Sequence, residues 1–260
     1  MQVLARLSAD AVLVGGQALA VWISYYGLEE QINLRDKSIS DDADFLGKRQ
    51  DVIAIANGVM GVATFPPQSD ISAMVGQVAI PTSETEFVNV DVIHRVVGLD
   101  ADDVRLRAST IDWGAVQFQV MNPLDVLASR IENLKQLPGK RNADGVMQAR
   151  VAVLVARAYI DELLQGDDEK AALKAIERVA SLAKSSAGRT AAREFRIDFM
   201  PGIPGERVSS EAFRTIRWPR LRAELQRAAR RPEVPGDADQ DAPAADENDS
   251  GPPRTKRLRP

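Results

Sequence analysis

The chain contains no cysteine and a single histidine, His94. The first absence excludes a disulfide framework, thiolate-bound zinc, iron–sulfur clusters and cysteine nucleophiles; the second excludes a multi-histidine metal centre within one chain. Any metal must then be held by oxygen ligands, which favours magnesium or manganese over zinc. Long hydrophobic runs are missing as well. The apolar stretch from Ala11 to Ile23 is interrupted by Gly15, Gly16 and Gln17, and only Arg6 stands before it. It reads neither as a secretory leader nor as a membrane span, which needs about 18 apolar residues. The expectation is a cytoplasmic protein with no membrane partner.

What is present is ordinary for a globular chain: 260 residues, 45% hydrophobic and 27% charged, enough for one substantial domain and a smaller helical one. The net charge of -4 is unevenly spread. Eight arginines lie between Arg207 and Arg231, with Glu211 and Glu224 among them, and the segment beyond is mostly acidic. An apolar run at Ala11–Val14 ends in Gly15-Gly16. Gln17–Tyr26 then reads as a buried helix stopped by Gly27. Strand patterns follow at Ile39–Leu46, Val78–Ile80, Phe87–Ile93 and Val116–Met121, with a helix predicted over Arg49–Met60. Asn122-Pro123 opens a helical region: Leu124–Lys135, Ala143–Leu164 and Glu169–Ser185, the first two separated by the Pro138-Gly139 turn. The segment from Arg207 to Arg231 has apolar residues at helical spacing and reads as a docked helix with an arginine face. The predicted organisation is an α+β domain over residues 1–122, a helical region over 123–231 and a disordered tail over 232–260. The tail is rich in Pro, Gly, Asp and Ala and has few core-forming residues.

The chemistry-bearing residues are carboxylates. In a strand, residues two apart share a face, so Asp42 and Asp44 fall together with Cα atoms roughly 7 Å apart, while Ala43 and Phe45 face the other way. Two like charges so placed repel, and a divalent cation between them removes the penalty. The pair is either a metal site or an exposed acidic edge. Asp91 sits in the middle of the apolar run Phe87–Ile93. A carboxylate there needs a partner, either an arginine such as Arg95 or a metal shared with a neighbouring strand. Gly15-Gly16, where a strand gives way to a helix, leaves amides that suit phosphate, although a tight turn is the plainer reading. His94 reads as a strand-end histidine.

Taken together, Val12-Leu-Val-Gly-Gly-Gln-Ala-Leu19, Ser40-Asp-Asp-Ala-Asp-Phe45 and Val90-Asp-Val92 resemble the DNA polymerase beta-like nucleotidyltransferase superfamily, in its abortive-infection and toxin–antitoxin branch. The likeness covers roughly residues 10–165 and includes the helical stretch Pro123–Arg130 and Lys140–Asp144. The gap between Gly16 and Asp42 is longer than in the minimal motif, and Ala43 stands where a larger aliphatic residue is usual. The resemblance implies a nucleotidyltransferase core of a small mixed sheet with flanking helices over residues 1–122. It implies that Asp42, Asp44 and Asp91 bind Mg2+ or Mn2+, with Asp91 nearest the attacking oxygen and serving as base. It also implies that Gly15, Gly16 and Ser40 meet the phosphates, and that Arg130, Lys135, Lys140 and Arg141 supply the cations near the nucleotide. The implied reaction transfers a nucleoside monophosphate from an NTP to an acceptor hydroxyl on RNA, tRNA or protein, in a toxin-like or phage-defence setting with a cognate antitoxin protein as partner. Two other readings stand beside it: a catalytically inactive homologue that binds nucleotide or a partner, and an enzyme that modifies a small molecule of the antibiotic type.

Overall fold

The computed structural model describes residues 10–32, 42–67, 69, 72–83, 86–114, 116–166 and 168–230. The predicted disordered tail at 232–260, Ser40 and the start of the predicted acidic strand at 39–41 lie outside them. The described residues, which end at Arg230, form one compact unit.

Its base is a seven-stranded mixed sheet. The strands are β1 (Val12–Val14), β2 (Ala43–Leu46), β3 (Val62–Thr64), β4 (Met74–Pro81), β5 (Phe87–Ile93), β6 (Ser109–Trp113) and β7 (Val116–Val120), in the order β3-β4-β5-β2-β1-β7-β6. The alternation that defines a strand separates two environments. Phe45 pairs with Leu13 on one side and Val92 on the other, and all three are buried. One residue earlier, Val14, Asp44, Asp91 and Gln77 form a lateral row across β1, β2, β5 and β4. Polar side chains are thus brought to the middle of the sheet.

Helices α1 (Gly15–Tyr25) and α2 (Arg49–Val59) flank the strands. The first begins two residues earlier than the apolar pattern suggests, because Gly15 takes a positive φ of 70° and lets the helix start directly on the strand. It is pinned to the following region by Trp22, whose Nε1 donates to the Met121 carbonyl at 2.8 Å. The second helix is closed by Asp51, whose carboxylate reaches back 2.7 Å to the Lys48 amide.

The remaining helices are α3 (Ala101–Arg107), α4 (Pro123–Gln136), α5 (Ala143–Gln165), α6 (Glu169–Lys184), α7 (Ser186–Phe195) and α8 (Trp218–Ala229). Asp100 caps α3 through the Asp102 and Asp103 amides, and Asn122 caps α4 in front of Pro123. At the head of α4, the fully buried Asp125 accepts from Arg107 of α3 at 3.0 and 3.2 Å and is also bonded by Arg178 of α6. One carboxylate therefore ties three helices together. The arginine-rich segment forms a turn of wide helix over Phe213–Arg217 and then α8, which buries Trp218, Leu221 and Leu225. Among the described residues, no helix is long and apolar enough to cross a membrane.

Candidate functional site

Helix α1 starts where β1 ends, and Val14 at its N-cap offers no capping side chain. The N-cap therefore supplies no side-chain acceptor to the start of the helix, where the positive end of the helix dipole lies. Gly15 is required here for a second reason. A methyl group on its Cα would collide with the carboxylate of Asp44, so the glycine lets the acidic strand lie directly beside the helix start.

Asp44 is opposite Val14 on one side and Asp91 on the other. Burial, then the neighbouring Asp91, push its carboxyl up from 3.8 to about 6; Asp42 adds to the rise, while Arg130 and Lys140 oppose it. Asp91 is held from the far side by Gln77, whose Nε2 donates to Oδ1 at 2.8 Å. Asp42 is exposed and sits one residue before β2. It acts on Asp44 through space from the strand entrance. Among the described residues, no three His, Cys, Asp or Glu side chains gather closely enough to hold a metal ion. Asp44 and Asp91 place oxygen donors on adjacent strands, and the Asp44 carboxyl is held against its ordinary ionisation.

A cavity of about 280 Å³ opens onto Asp44; Asp91, beside it on the next strand, is not part of the lining. Gly15, Gly16, Asp44, Arg130 and Lys140 all line it, so residues from four separate stretches of sequence converge. Arg130 is 7% exposed. Its Nη1 donates to Gln148 at 2.9 Å and its Nη2 reaches Ser129 at 3.4 Å, while its buried Nε has no partner. Burial lowers its proton affinity and the charge on Asp44 raises it. The buried guanidinium thus stands at the cavity as a fixed positive charge, with Asp44 acting on it through space. Lys140 is set by the 3-10 turn Pro138–Lys140, whose carbonyl end packs against Gly145 with no room for a Cβ.

Other predicted residues fall elsewhere. Arg141 does not line the cavity; its Nε donates to the Leu134 carbonyl at 3.0 Å and its Nη2 to that of Lys135 at 2.5 Å, closing the end of α4. Lys135, too, is not part of the lining. His94 follows β5 and its Nε2 lies 3.0 Å from the Ser72 carbonyl. The sequence reading missed Gln77, Ser129, Asn133 and Gln148, and weighed Arg95 only as a partner for Asp91. Arg130 and Asn133 are three apart on one face of α4, a spacing that was open to inspection. The pairing of Gln77 with Asp91 depends on strand register and was not. Ile93, Val96, Val97 and Leu137 contribute the apolar part of the lining.

A scan of the chain against protein-family models gives no match, and a search of curated proteins gives none either.

Proposed function

We propose that this protein is a metal-dependent nucleotidyltransferase, moving a nucleoside monophosphate from an NTP to an acceptor hydroxyl and releasing pyrophosphate. The observation that carries the reading is the single cavity in which an uncapped helix start, a carboxylate and a buried arginine with an unused donor meet. The side-by-side Asp44 and Asp91 fit a hard divalent cation, because such an ion would relieve the repulsion that drives the Asp44 carboxyl upward. Asp44 and Asp91, with Asp42 at the entrance, would hold magnesium or manganese, which when bound supplies charge neutralisation at the phosphates.

The chain's own groups divide the remaining work. The Gly15 and Gly16 amides donate to the terminal phosphate oxygens. Arg130 and Lys140, with Arg95 at the rim, offset the charge that grows on pyrophosphate as its bond to the α-phosphorus breaks. The acceptor oxygen forms the new bond to that phosphorus and gives its proton to Asp91, whose other oxygen Gln77 keeps in place. The apolar part of the lining takes the base, with the Asn133 amide available to read its edge.

A second reading, nucleotide binding without turnover, is favoured by two observations: Asp42 lies outside β2, and no three-carboxylate group is assembled among the described residues. One experiment separates them. Purified protein is incubated with magnesium, each α-radiolabelled NTP in turn, and total RNA with cell extract, beside an Asp42→Asn/Asp44→Asn variant. Label on RNA, protein or a small molecule only with the native chain supports transfer and reveals the acceptor class. NTP binding with no label transferred supports the second reading. Growth arrest on expression, lifted by Asp44→Asn, would add a toxin-like role for the same site.

A further inference from the structure

A second cavity, of about 320 Å³, lies between α7 and α8 and shares no lining residue with the first. Its floor is apolar: Ile197, Phe199 and Leu225 are each at most 5% exposed. Arg196 is the cation in its lining, and further arginines stand near it on α7 and α8. On α7, Arg189 and Arg193 stand at i and i+4, on the face that also carries the lining residue Ala192, and Arg196 follows as the helix cap. On α8, Arg222 shares a face with the lining residues Gln226 and Ala229 at the same spacing.

Among the described residues, Arg189, Arg193, Arg196 and Arg222 make no ion pair with an acid. Arg193 donates to the Ala228 carbonyl at 3.1 Å and leaves its buried Nε without a partner. Arg189 is bonded to the Lys184 carbonyl. The guanidinium of Arg222 stands over the Trp218 ring, 5.9 Å from its centroid. The carboxylate in the lining, Asp198, accepts from the Met200 amide at 2.9 Å. Arg196 closes α7 in the left-handed region, with φ of 54°. Glycine fills such a cap without backbone cost, so an arginine there points to a use for its side chain.

We infer that this cavity binds single-stranded nucleic acid, one base entering the apolar floor while the arginines of α7 and α8 hold the flanking phosphates. An apolar slot beside a row of guanidinium groups is the arrangement that an unstacked base and its backbone require. An anionic membrane is a poorer fit. The outward positions of α8 are Pro219, Arg220, Arg222, Ala223, Gln226, Arg227 and Ala229, with no large apolar side chain to enter a bilayer. The inference does not depend on the transfer reaction.

The test uses the full chain and fluorescence anisotropy across a salt series. The probes are a short fluorescein-labelled RNA, the same sequence in DNA, an abasic oligonucleotide of equal length, and phosphatidylserine vesicles as competitor. Three phosphate contacts give a slope of log affinity against log salt of about −2, at about −0.7 per contact for a single strand. Arg196→Asn/Arg222→Gln should flatten that slope by about 1.4 and weaken binding at low salt by about tenfold; asparagine tolerates the left-handed cap. If this double variant does not fold, Arg222→Gln alone should flatten the slope by about 0.7. The abasic strand should bind about tenfold more weakly than RNA. Equal affinity for RNA and DNA supports the inference and shows that the sugar is not read; a preference for either supports it and names the strand. An unchanged slope in the variants, abasic binding equal to RNA, or displacement by the vesicles overturns it.

Discussion

Replacing Asp44 with asparagine tests the electrostatics of the site without requiring any activity. In the folded chain the Asp44 carboxyl is pushed from 3.8 to about 6, by burial first and by Asp91 second, against the pull of Arg130 and Lys140. Its folded value is raised, so the wild type binds more protons folded than unfolded through this group. Stability is therefore complete below about pH 4 and is lost as pH rises through about 6. At about 1.36 kcal/mol per tenfold change in proton affinity, the ceiling is about 3 kcal/mol; residual solvent access brings the expected effect to about 1–2 kcal/mol. Asparagine resembles the protonated acid and does not carry this cost. Asp44→Asn should thus raise the melting temperature by about 3–6 °C at pH 7.5 and change it little at pH 4. Scanning calorimetry at the two pH values, without divalent ions, measures this directly. Adding magnesium should raise the melting temperature of the wild type and do less for the variant, by mass action on the folded form. An equal shift at both pH values, or a variant less stable than wild type at pH 7.5, would refute the account of Asp44 as a carboxylate held against its ionisation.

Three further outcomes follow from the geometry. Arg130→Met keeps the buried stem but removes the guanidinium; titration calorimetry should show NTP affinity reduced by at least about tenfold, the loss of one charge-assisted contact. Gly15→Ala combines a positive φ with a collision at Asp44 and should cost about 1–3 kcal/mol in denaturant unfolding. Asp125→Asn strips the charge from the carboxylate that Arg107 and Arg178 share and should cost about 3 kcal/mol; a variant melting like wild type would show that the pairs carry no net stability.

The parts of this fold that the sequence displayed are those with strong local patterning. Phe87–Ile93 was bounded to the residue by its apolar run, while α5 and α6, expected over Ala143–Leu164 and Glu169–Ser185, each differ by one residue at the C-terminal end. Asp91 stood out because it interrupts an apolar strand and Asp44 because it shares a face with Asp42, and the structure sets Asp44 and Asp91 side by side. Strand β6 was missed because Ser109–Trp113 mixes polar and exposed positions, as an edge strand does, and only pairing with β7 makes it a strand. Strand β3 is three residues long, with both ends exposed, too short for a period to show. Helix α3 was signalled by Asp100 ahead of Asp102 and Asp103, a cap that went unread. Among the cations, spacing could not distinguish Arg130, which is buried at the cavity, from Arg141, which ends a helix. That difference arises from packing between α4 and α5, and no local pattern encodes it.

Helix α4 carries the shared carboxylate at its head and Arg130 and Asn133 further along. It is one rod with a fastening at its head and cavity-lining residues further along. The consequence is evolutionary. In lineages descending from this sequence, Arg107, Asp125 and Arg178 should be kept or exchanged as a set, because losing one strands the others in a buried place. Lineages that exchange the set for apolar residues would be free to let the helix settle differently, and in those Arg130 should drift as well. A substitution pattern at three positions far from the cavity would then record whether its arginine is still in use.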